Sequence, residues 1–115
     1  MSLAIRLLPE TLRSAAFGAV GAAYSAVGTA LLHPCSIFLI QNATDAGALF
    51  SLDGVNDHFF LPASGFLLLD LTTNKTLPQG AFIGQGTIVY VKRSAGAPTT
   101  GAVYISVLYG ANGNG

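Results

Sequence analysis

Apolar and polar positions follow one another in short runs along this chain, with no sustained apolar recurrence at the three-and-four spacing of an amphipathic helix. Six runs read as strands: Cys35–Gln41, Ala48–Leu52, His58–Leu61, Phe66–Leu71, Thr87–Lys92 and Val103–Tyr109. Between them lie clusters of turn-forming residues at Asn42–Gly47, Asp53–Asp57, Pro62–Gly65, Thr72–Lys75 and Ser94–Gly101. A strand about every ten residues is the cadence of an all-β sandwich or barrel. The N-terminal third adds strands over Thr11–Ala16 and Ala22–Leu31, linked around Gly18 and Gly21, with a helix over Ala15–Ala30 as the competing reading. Seven or eight strands predict a two-sheet antiparallel sandwich of jelly-roll type.

Two runs depart from alternation. Ile37-Phe38-Leu39-Ile40 and Phe66-Leu67-Leu68-Leu69 are apolar on both faces, whereas a sandwich strand with one wet face alternates. Both faces therefore call for cover, from the N-terminal segment or from another subunit. In the last strand Val103, Ile105, Val107 and Tyr109 share one face, and Tyr104, Ser106 and Leu108 the other, which predicts a central position.

The N-terminus carries a smaller pattern of its own. Leu3, Ile5 and Leu7 alternate, Leu8 adds an apolar group, and Pro9 holds Leu8 extended. Residues 1–13 are expected to be an extended assembly arm that adds to a neighbouring sheet edge, with Leu3, Ile5, Leu7 and Leu8 as the subunit contacts. An edge strand of the same sandwich is the alternative. Residues 14–110 would then form the sandwich, and the glycine-rich residues 111–115 a flexible tail.

Composition sharpens this picture. Charged residues make up only 9% of 115, against ~25% in ordinary soluble domains, and five acidic residues cancel five basic ones. Intrinsic disorder and electrostatic nucleic-acid binding both require more charge than this. A folded chain of this mass exposes roughly 5,900 Å², which ten charged side chains cannot cover, so contact with other subunits is expected. The charges are also uneven: residues 45–74 hold four Asp and no base, whereas residues 75–115 hold Lys75, Lys92 and Arg93 and no acid. Head-to-tail complementarity between subunits is one reading, and solvated loops the plainer one.

No stretch makes a convincing membrane span or leader. Ser14–Thr44 is free of charge, but its first half is mostly Ala and Gly, too weakly apolar for insertion. Pro9 and Glu10 interrupt the place where a signal peptide's apolar region would follow Arg6. Cys35 is the single cysteine, so the domain is held by packing rather than by an intrachain disulfide.

The candidate chemistry is thin. Asp53-Gly-Val-Asn-Asp-His58 offers carboxylates and an imidazole, yet it lacks the alternate ligand order and closing Glu of a calcium loop, and a hairpin turn explains it better. His33 and His58 have no metal-site spacing. Gly84-Gln85-Gly86 lacks the third glycine and the following helix of a dinucleotide loop. Ser64 lacks the upstream glycine of a nucleophile elbow, and Asp70 reads as a strand-end cap. Asn42 and Asn74 head Asn-x-Thr triplets, more simply turn residues than glycan acceptors. No catalytic residue, metal ligand or cofactor site is expected.

Several phrases together resemble a known class. These are Leu8–Ser14, Gly21–Tyr24, Ile40–Asp45, Ser51–Asp57, Leu69–Asn74, Gly86–Lys92 and Gly101–Tyr109, and in this order they resemble small structural proteins of tailed bacteriophages. That resemblance implies a virion part, made in the host cytoplasm, without catalysis or cofactor. Jelly-roll cement or decoration proteins on the capsid and small neck or tail components both fit. The resemblance implies the major capsid protein or neck and tail proteins as partners, while the two-sided apolar strands and sparse charge point to a second copy of the chain and leave no role for nucleic acid or membrane. It carries over no binding residue. A sugar-binding sandwich and a small β-barrel enzyme are weaker readings, because Trp is absent and no polar constellation converges.

Overall fold

The computed structural model describes residues 5–70 and 83–112, and over them the chain forms two antiparallel sheets packed as a sandwich. Nine strands follow in order: β1 (Ile5–Pro9), β2 (Arg13–Ala16), β3 (Ser25–Ala26), β4 (Cys35–Asn42), β5 (Ala48–Ser51), β6 (Phe59–Leu61), β7 (Phe66–Asp70), β8 (Tyr90–Arg93) and β9 (Ala102–Asn112). Sheet A runs β1-β9-β4-β7, with β2 also paired to β9, and sheet B runs β3-β8-β5-β6. As its alternation predicts, β9 is central, flanked by β1 and β2 on one side and β4 on the other.

The core lies between the sheets. Phe38, Ile40, Val103 and Ile105 from sheet A meet Phe50 and Val91 from sheet B, all without solvent exposure. Close packing of this kind is worth roughly 1.5–3 kcal/mol for each large side chain. A bulge between Cys35 and Ile37 resets the register of β4 against β9. The extra residue lets both Cys35 and Phe38 point inward, a parity that strict alternation forbids.

The N-terminal third follows the strand reading rather than the helical one, with shorter strands than expected. Among the described residues there is no α-helix over Ala15–Ala30; Arg13–Ala16 is a strand and Phe17–Ala19 a single 3-10 turn. The strand expected over Ala22–Leu31 shrinks to Ser25–Ala26, and that expected over Thr87–Lys92 begins only at Tyr90. These segments still run side by side, with Val27 N–H donating to Val89 O at 2.7 Å and Leu31 N–H to Thr87 O at 2.8 Å. Gly28, at φ +70°, breaks the ladder between them, because a left-handed residue cannot continue a pleated strand.

The expected arm also takes a definite place. Ile5–Pro9 pairs antiparallel with the end of β9 in its own chain, Leu7 opposite Gly110 and Leu8 opposite Tyr109. Here β1 and β2 are two halves of one edge strand, interrupted at Glu10–Leu12. Leu3 lies outside the described residues, as does most of the predicted tail, although β9 itself extends to Asn112.

Candidate functional site

Cross-strand pairing fixes which side chains share the outer face of sheet A. One row is Ser14, Tyr104, Gln41 and Phe66; the next is Ser106, Leu39 and Leu68; the third is Pro9, Leu108, Ile37 and Asp70. Phe66 is 67% exposed and Leu68 52%. Asp70, at one corner, is the only charged residue in these rows. The doubly apolar runs therefore divide as follows: Phe38, Ile40, Leu67 and Leu69 serve the core, while Ile37, Leu39, Phe66 and Leu68 form an outer apolar platform. Residues 5–9 do not cover it. They lengthen the sheet edge instead, and Leu7, 42% exposed opposite Gly110, extends the same face.

The outer face of sheet B is built differently. Lys92 stands opposite Leu49, its Nζ 3.4 Å from Asp57 and 4.7 Å above the Tyr24 ring, and Tyr24 donates its hydroxyl hydrogen to Asp57 at 2.5 Å. Burial and the Asp57 carboxylate both push the Tyr24 phenol upward. The Asp53–Asp57 turn folds over this face, and Gly54, at φ +77°, brings its backbone against the Tyr90 ring, where a Cβ would lie 3.2 Å away. The Asp53 carboxylate accepts from the N–H groups of Asn56 and Val55, both at 2.8 Å, and from the Ser51 hydroxyl at 2.8 Å. These bonds hold it well below the usual carboxylate range. His58 joins through Nδ1, which accepts from Leu52 N–H at 3.0 Å. Asp53, Asn56 and His58 thus close the turn, while Asp57 ties it to Tyr24 and Lys92. One outer face is partly capped by the chain's own loop, with Phe60 55% exposed at its β6 edge, and the other, among the described residues, is bare.

A third cluster fills the break between β1 and β2. Glu10, whose side chain is 2% exposed, receives Arg13 Nη2 at 2.6 Å, His33 Nδ1 at 2.9 Å and Leu32 N–H at 3.3 Å. Burial works against its charge, but the Arg13 and His33 bonds outweigh that, and the carboxyl is held below its ordinary value. Arg13 faces inward opposite Ile105 and donates also to Thr29 O at 2.7 Å and Ala30 O at 3.0 Å. Gly28 lies over its methylenes, with room for no Cβ there. His33 stacks on Tyr109 at 3.6 Å. The cluster borders an open hollow of about 570 Å³, but its charged groups are spent on each other and on backbone carbonyls. It fastens the edge strand to the Gly28–His33 loop. Sequence reasoning missed it, although in a chain with so few charges a Glu and an Arg three residues apart beside a proline was a usable signal.

The remaining candidates take structural places. Asn42 is 1% exposed, inside the turn, and no glycan acceptor; Asn74 lies outside the described residues. Ser64, at φ 64°, occupies the Pro62–Gly65 turn. Cys35 is fully buried, and burial pushes its thiol upward. Gly84 and Gly86 lead into the irregular Thr87–Val89 segment rather than a helix. Asp45 is tied to the Thr99 hydroxyl and to Thr99 N–H at 2.7 Å, joining two turns. Among the described residues no three potential ligands come together for a metal, and no helix is long and apolar enough to cross a membrane. Compared with protein-family models, curated proteins and solved structures, the chain matches none.

Proposed function

We propose that this chain is a non-enzymatic virion structural protein that stabilises a bacteriophage particle through protein–protein contacts, as a capsid cement or decoration protein. The observation that carries the reading is the contrast between the two outer faces. Sheet B is covered in part by its own ion pairs and turn, with Phe60 left exposed at the β6 edge, whereas sheet A, among the described residues, presents Phe66, Leu68 and Leu39 with no charge beyond Asp70. Apolar patches of more than a few hundred Å² mark contact surfaces. The clustered Glu10, Arg13 and His33 favour a structural role, because each is consumed by internal bonds. The resemblance of the turn phrases to phage structural proteins supplies the setting, and a neck or tail component is the alternative within it.

We also infer a jelly roll. Counting from β2, the eight strands pair first with last, second with seventh, third with sixth and fourth with fifth, namely β2·β9, β3·β8, β4·β7 and β5·β6. Nested pairing of this kind is what a long hairpin rolled into two sheets produces.

Mass spectrometry of particles purified from the phage whose genome encodes this chain tests the function. The chain should be present in many copies per particle, and particles made without it should lose their genome at lower temperature. Absence from the particles would refute the reading.

A further inference from the structure

We propose that the outer face of sheet A is the seat of a second copy of this chain, in a two-fold, face-to-face dimer with Leu39 beside the axis. The inference rests on reading the protein as one that works by protein contact, and it names the partner.

Charge is the first argument. Among the described residues the face offers one charge to steer a charged partner, the Asp70 carboxylate at a corner. An apolar face that carries so little charge is matched by a surface of the same kind, and each copy of this chain supplies one. Isologous contact of a patch with itself is also the commonest way that subunits associate.

Shape is the second. Set the two-fold axis in the interface, parallel to the strands and passing by Leu39 of β4. The axis keeps each row in register and exchanges the strands on either side of β4, so β7 lies over β9 of the other copy. The protruding Leu68 then meets the small Ser106 of its own row, Phe66 meets Tyr104, and Leu39 meets its own equivalent. The largest exposed groups are placed over the lowest spot and over an aromatic ring. Sheets stacked with their strands aligned sit about 10 Å apart.

Area is the third. Four strands at ~4.8 Å spacing and five residues at ~3.4 Å give a platform of roughly 19 by 17 Å, about 320 Å² in plan before side-chain relief is added, a compact interface below the ~800 Å² per partner of standard stable dimers. Edge-to-edge pairing through β7 would leave Phe66 and Leu68 in water, so stacking accounts for more of the observed exposure.

Sedimentation equilibrium of the full chain at micromolar concentration should give twice the 11.8 kDa chain mass. Leu68→Lys should give the monomer mass with an unchanged far-ultraviolet circular dichroism spectrum. A bis-maleimide of roughly 10 Å span, matched to the ~10 Å between stacked sheets, a gap too long for a disulfide, should link Leu39→Cys into a covalent dimer, while Leu49→Cys, on the outer face of sheet B, should not be linked. Native Cys35 adds no background because it is fully buried. If Leu68→Lys fails to fold, the cysteine pair decides. A monomeric parent chain overturns the proposal, whether another protein or another part of this chain covers the face. So does a dimer that Leu39→Cys cannot link. Because these readouts use the free protein, a dimer absent from particles would sink the virion reading alone, and a monomer found in particles would sink only the dimer.

Discussion

Replacing Asn42 by Ala removes the side chain that ties the end of β4 to two separate turns. Its Nδ2 lies 2.9 Å from Ala46 O, 3.0 Å from Leu61 O and 3.1 Å from Pro62 O, and its two hydrogens are shared among them. Its Oδ1 accepts from Thr44 N–H at 3.1 Å and from the Thr44 hydroxyl at 2.6 Å. Alanine leaves at least two buried groups without partners, the Leu61 carbonyl and the Thr44 N–H. At ~1–3 kcal/mol for each orphaned group, the expected loss is about 3–4 kcal/mol. That is a large part of the 5–15 kcal/mol typical of a folded domain. With a urea slope near 1.5 kcal/mol per molar, the unfolding midpoint followed by circular dichroism should fall by about 2 M.

Asn42→Asp keeps the shape and adds a sign that can be checked. Carbonyl oxygens facing the new carboxyl raise its folded pKa above the unfolded ~3.9. The variant should therefore be nearest to the parent below pH 4 and lose stability as the pH rises toward neutrality. A loss below 1 kcal/mol for Asn42→Ala, or an Asn42→Asp variant that grows more stable with rising pH, would refute the proposed role of Asn42 as the bolt between these turns.

Three further outcomes are expected. Gly101→Ala should unfold or severely destabilise the chain, since Gly101 sits at φ +89° and a Cβ would run into the Ala43 carbonyl, and a thermal melt of the variant reads this directly. Asp53, Asp45, Asp57 and Glu10 are all held below the ordinary carboxylate range, Asp53 by backbone N–H groups, Asp45 by Thr99, Asp57 by Tyr24 and Lys92, and Glu10 by Arg13 and His33 against the cost of its burial. Their stabilisation is complete above about pH 4 and lost as the pH falls through their folded values, so the thermal midpoint should hold from pH 7 to 5 and drop below 4, less steeply in Asp53→Asn. Cys35 should resist a thiol reagent in the native protein and react at once in denaturant, because it is fully buried and its thiol is pushed upward.

Much of the fold was legible from local pattern. Strands β4, β5, β6, β7 and β9 fall where apolar runs and turn clusters put them, because each is long enough for alternation or continuous apolarity to outweigh local noise. The reading of Asp53–His58 as a turn rested on Asp-Gly, and the carboxylate's backbone bonds bear it out. The run Ile37–Ile40 was recognisable as apolar on both sides, but which side would be buried was not.

Tertiary structure decided the rest. Whether residues 5–9 reach out or fold back depends on the edge that β9 leaves open, a partner about a hundred residues away. Gly28 ends a ladder that propensity alone would have continued, and its reason is the Arg13 side chain beneath it. Glu10, Arg13 and His33 come together only once the edge strand breaks beside the Gly28–His33 loop. Likewise Phe66 and Leu68 become a bare platform only when β7 takes its register on β4 and turns Leu67 and Leu69 to the core. Local sequence sets what a segment prefers, with a period of two along a strand; the face each residue presents is set by pairing between distant strands, and there a shift of one position exchanges core for surface.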